Sequence, residues 1–69
     1  MKNICTINDK DLVTGNDYAL IVRSQADRIA VCMSEQDSGD TEVFMSRNSV
    51  LRLIEGLQEA LDALDETHT

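Results

Sequence analysis

Histidine occurs once, at position 68, and aromatic residues only twice, as Tyr18 and Phe44. A lone histidine next to the end of the sequence offers no frame for imidazole catalysis, because a general base has to be held within hydrogen-bond reach of the proton it takes. The two cysteines, Cys5 and Cys32, form no C-x-x-C pair, which excludes a zinc ribbon, and neither has a neighbouring base to make it a nucleophile. The three glycines are isolated from one another, so there is no glycine-rich phosphate loop. No apolar run approaches the roughly 20 residues of a membrane span, and residues 1–6 lack the apolar centre of a signal peptide. The expected location is cytoplasmic, where Cys5 and Cys32 read as small buried hydrophobes rather than as a disulfide. Basic residues are also scarce. Six Lys and Arg against thirteen Asp and Glu give a net charge of −7, which disfavours nonspecific binding of nucleic acid or an anionic membrane.

What the sequence does have is one long amphipathic stretch. Between residues 46 and 66, Val50, Ile54, Leu57, Leu61 and Leu64 recur at alternating spacings of four and three, which is one stripe of an α-helix. Ser46 is the expected N-cap, with Asn48 and Ser49 as alternatives, and the helix is expected over about residues 47–65. Leu51, Leu53 and Ala60 widen the stripe beyond a bare coiled-coil seam, which favours docking on a sheet. Gly56 lies mid-helix, where glycine costs about 1 kcal/mol relative to alanine. It implies either a tolerated weakness or the close approach of another backbone. Five acids and no base lie between Glu55 and Glu66, toward the helix end where the macrodipole disfavours anions, so fraying is expected from about Asp65.

Ahead of the helix, period-two alternation predicts strands at about residues 3–8, 18–24, 28–34 and 41–46. The stretch 14–17, Thr-Gly-Asn-Asp, is a strong turn signal, and residues 25–27 and 35–40 are further short connections. Short loops between successive strands imply a meander. The fold class is therefore α+β: a small antiparallel β-meander of three to four strands packed against one C-terminal α-helix, in a single domain of 69 residues. One sheet face carries Leu20, Val22, Ile29, Val31, Val43 and Met45, and the helix is expected to cover most of it. The other still holds Ala19, Ile21, Ala30, Cys32 and Phe44, more apolar surface than a solvated face should show. These five are the expected self-association residues of a homodimer, a device that small domains need to gain burial. The alternative is that Leu12 and Val13 cover that face within one chain.

No constellation of residues implies catalysis, a cofactor or a bound metal. Asp37, Asp40 and Glu42, and likewise Asp9, Asp11 and Asp17, are grouped carboxylates, but neither set has the alternation of an EF-hand loop. They read as solvated turn acids. The chain is accordingly read as a non-enzymatic interaction module whose acids, Asp37, Asp40, Glu42, Glu59, Asp62, Asp65 and Glu66, meet a basic site on a larger protein. A concrete version is a small inhibitor that occupies a nucleic-acid-binding groove, as phage-encoded DNA mimics do. The alternative is a small dimeric nucleic-acid-binding or regulatory protein using Arg23, Arg28 and Arg47. Against it, Tyr18 and Phe44 are expected on opposite faces, and Arg52 is expected to pair with Glu55 along the helix.

Overall fold

The computed structural model describes the backbone of residues 2–68 and the side chains of residues 2–66. His68 closes the helix, and its side chain lies outside the described part. The strands β1 (Lys2–Lys10), β2 (Asp17–Gln25), β3 (Arg28–Glu35) and β4 (Gly39–Met45) form one antiparallel sheet in the order β1-β2-β3-β4, and the helix α1 (Arg47–His68) follows. The α+β meander with a C-terminal helix is thus the architecture. β1 runs further than the alternation predicts. Asp9 and Lys10, past the expected strand end at residue 8, pair with Tyr18 and Asp17, and the Lys10 ammonium meets the Asp17 carboxylate at 2.7 Å.

Local chemistry sets each boundary. The Asp11 carboxylate accepts from the N–H groups of Val13 and Thr14, and the Asp11 carbonyl accepts from Gly15 N–H, closing a tight loop at residues 11–16. Gly15 and Gly39 have φ of 79° and 78°, the left-handed conformation that glycine enters at least cost. Ser46 caps the helix as predicted: its Oγ accepts from Ser49 N–H at 3.3 Å, and its carbonyl accepts from Val50 N–H at 3.0 Å.

The β2–β3 hairpin turns on two residues, Ala26 and Asp27, and Ala26 has a φ of 47°. Two-residue hairpins require positive φ at the first central position, where glycine or asparagine normally stands. Ala26→Gly is therefore expected to stabilise the fold. The left-handed penalty for an L-residue is about 1–2 kcal/mol, and the entropy glycine forfeits is about 0.5–1 kcal/mol. A net gain of about 0.5–1 kcal/mol corresponds to a melting midpoint a few degrees higher in a thermal scan. A lower midpoint would show that the Ala26 backbone is unstrained.

Register assigns the two faces. On the first, Cys5, Ile7, Leu20, Val22, Ile29, Val31, Met33, Val43 and Met45 lie together. On the second, Thr6, Ala19, Ile21, Arg23, Ala30, Cys32, Glu42 and Phe44 do. This is the division expected from the alternation, with Tyr18 and Phe44 on opposite faces. The coverage by α1 is different from that expected. The helix meets the sheet chiefly at β3, near its own start, where Leu53 lies beside Val31, Val43 and Met45. Beyond this corner it runs past the sheet instead of along it. Leu51, Leu53, Ile54, Leu57, Leu61 and Leu64 remain 41 to 57 % exposed. Leu12 and Val13 stand fully exposed at the loop tip, so they cover neither face. The connection bears on the departure: Ser46 alone joins β4 to α1, so the helix leaves in the direction set by the end of β4.

Candidate functional site

Among the described residues the only buried apolar side chain is Ala30, 1 % exposed. It lies on the second face between its cross-strand neighbours Arg23 and Phe44. The Arg23 guanidinium reaches across β3 to Glu42 at 3.6 Å, so a small residue is roofed by the stems of longer ones. Ala30 thus adds nothing to the surface of the predicted self-association patch. Ala19, Ile21 and Cys32 are half-buried, and Phe44 is 53 % exposed. Cys5 and Cys32 are both free thiols, on opposite faces and separated by β2.

The predicted acidic residues fall into two groups. Asp37 and Asp40 flank the β3–β4 turn at one end of the sheet. There Asn16 Nδ2 donates to Asp37 at 3.2 Å and to Glu35 at 3.4 Å, and Gln36 N–H donates to the Asp17 carbonyl at 3.0 Å. These bonds tie the β1–β2 loop to the β3–β4 turn, which makes an ordered acidic corner. Glu42 belongs to neither group, because it is engaged by Arg23. The second group is on α1. The predicted Glu59, Asp62 and Glu66 follow Glu55, which was not among the predicted acids, at spacings of four, three and four, so the four form a carboxylate row along the side opposite the apolar stripe. Asp62 also accepts from Gln58 Nε2 at 3.0 Å, and Asp65 lies beside the row.

At the β1–β2 end, local bonds perturb two charged groups. The N–H groups of Thr14 and Val13 hold the Asp11 carboxyl below the usual carboxylate range, and hydrogen bonding and charge from Asp17 raise Lys10. The Asp11 contribution to stability is present above the ordinary carboxylate pKa and is lost as pH falls through the lowered one. The Lys10 contribution is present below the ordinary lysine pKa and is lost as pH rises through the raised one. Lys10 is exposed and Asp11 half-buried, so these effects fasten a loop at the surface.

Two of the four arginines form ion pairs among the described residues. Arg28 meets its neighbour Asp27 at 3.2 Å, and Arg23 meets Glu42. Arg28 and Arg47 line a shallow hollow with Ser24, Ala26, Asp27 and Ile29. The Arg52–Glu55 pair expected on the helix is not among the ion pairs formed by the described residues. No helix among the described residues is long and apolar enough to cross a membrane. No protein-family model matches this chain, and no curated protein or solved structure matches it either. The surface feature that sequence reasoning missed is the apolar stripe itself, which was assigned to the interior. The signal available was the one-residue β4–α1 connection.

Proposed function

We propose that this chain is a non-enzymatic, cytoplasmic interaction module, acting as a homodimer, whose acidic surface engages a basic site on a larger protein and blocks or modulates it. The observation that carries this reading is the carboxylate row Glu55, Glu59, Asp62 and Glu66. At 1.5 Å rise per residue its charges repeat about every 5–6 Å. An array of that kind suits a surface evolved to hold a polyanion, in the manner of a DNA mimic. The acidic corner at Asp37 and Asp40 offers a second point of attachment.

The nucleic-acid reading remains as the second hypothesis, supported by the shared hollow of Arg28 and Arg47. Fluorescence anisotropy with labelled single-stranded and duplex oligonucleotides decides between the two. At physiological salt no binding is expected, because the net charge of −7 repels polyphosphate. Tight binding would promote the arginines and reject the acidic-module reading. A protein partner captured from the native host should dissociate as salt rises, since association steered by charge weakens with screening. Amide substitution of Glu59, Asp62, Asp65 and Glu66 should weaken capture while leaving the fold intact or slightly more stable, as this end of a helix disfavours anions. Capture unchanged by that substitution would show that the helical acids only solvate the chain.

A further inference from the structure

The chain exposes 5701 Å² of accessible surface. A compact monomer of 7.7 kDa exposes about 4,300 Å². Its radius of gyration is 14.0 Å, against about 11 Å for a compact domain of 69 residues. The excess area, roughly 1,400 Å², is what one subunit contributes to an obligate homodimer, where the total buried runs from about 2,000 to 5,000 Å². The most continuous apolar part of the exposed surface is the α1 stripe, together with the first sheet face around Ile7, Met33 and Val43.

We propose that a second copy of this chain occupies that surface. Two α1 helices pack against each other along Val50, Ile54, Leu57, Leu61 and Leu64. The helix pair sits between the two sheets, so that the open apolar face of each sheet is covered. The width of the stripe, which Leu51, Leu53 and Ala60 extend on both sides, supplies contact to a helix and to a sheet at once. Within one chain the stripe is not satisfied: Ile54, Leu57, Leu61 and Leu64 stay more than half exposed.

Charge sets the orientation. Residues 47–57 carry Arg47, Arg52 and Glu55, a net +1, and residues 58–66 carry Glu59, Asp62, Asp65 and Glu66, a net −4. Parallel helices would place the two acidic halves side by side, whereas antiparallel helices place each acidic half beside the basic half and oppose the macrodipoles favourably. The carboxylate row then faces outward on both copies, available to a partner.

The inference rests on the homodimer reading and assigns its surface, so the test separates the two. Sedimentation equilibrium of the unmodified chain at about 100 μM should give about twice the 7.7 kDa chain mass. Leu61→Glu should abolish that species, and Phe44→Glu, on the opposite sheet face, should keep it. A strictly monomeric parent chain overturns both the inference and the homodimer. A dimer that Phe44→Glu disrupts overturns the helix-stripe assignment and leaves the homodimer standing, through the second face instead. If Leu61→Glu fails to fold, the parent mass and the Phe44→Glu mass still decide the matter. For orientation, spin labels placed at position 48, on the side of α1 away from the seam, in a chain lacking Cys5 and Cys32 should lie about 35–40 Å apart on antiparallel helices. A separation of about 25 Å, that of two outward-facing labels on parallel helices, overturns the antiparallel arrangement.

Discussion

Leu57→Asp is expected to abolish the cooperative thermal transition at micromolar concentration. Within a single chain Leu57 is 57 % exposed, and a substitution at such a surface position ordinarily changes stability by no more than about 0.5 kcal/mol. In the paired helices the same residue lies at the centre of the seam, where an unpaired carboxylate costs several kcal/mol. The two situations differ by roughly an order of magnitude in effect, so the melt followed by circular dichroism reads out burial directly. Leu57→Met, which conserves volume, should cost less than about 1.5 kcal/mol and controls for the loss of leucine itself. A Leu57→Asp chain that melts within a few degrees of the parent would mean that the stripe stays in water.

The second large effect is on the melting midpoint of the unmodified chain, which should rise with protein concentration. With Ala30 the only buried apolar side chain among the described residues, one copy alone has almost no interior, and folding should be inseparable from association. For a dimer with the usual unfolding enthalpy per residue, each tenfold increase in concentration raises the midpoint by about 5 °C. A midpoint independent of concentration between 1 and 100 μM would place the stabilising contacts inside a single chain.

The strands, their order, the sheet faces and the helix cap were legible in the sequence because each rests on a local rule. Alternation at Leu20, Val22, Ile29, Val31, Val43 and Met45 assigns a face whatever lies above it, and Ser46 caps whichever way the helix points. What that face packs against was not legible. The apolar stripe says that the helix needs a partner surface and says nothing of which copy supplies it. Only the spacing from Met45 to Arg47 bore on that question, and its meaning depends on the direction of the chain at the end of β4. The hairpin at Ala26 was found by the runs around it and not by its own first turn residue, since Ala26 does not announce positive φ. Among the candidate acids, periodicity identified those on α1, but the diversion of Glu42 to Arg23 depends on cross-strand register, which alternation alone does not give.

The register of β1 slips at Ile4, where Asn3 still faces Arg23 but Cys5 already faces Val22. β1 is an outer strand, and so is β4. Both rims carry backbone donors and acceptors that, left bare, are a template on which another molecule can add a strand. The extra residue at Ile4 bends and twists the β1 rim so that a straight strand cannot be laid along it, and Lys2 and Lys10 place like charges at its two ends. The β4 rim carries Asp40, which repels a second β4 laid against it. Fibril formation is thereby opposed at both rims by means independent of the apolar surface, which protects a chain that exposes so much aliphatic area.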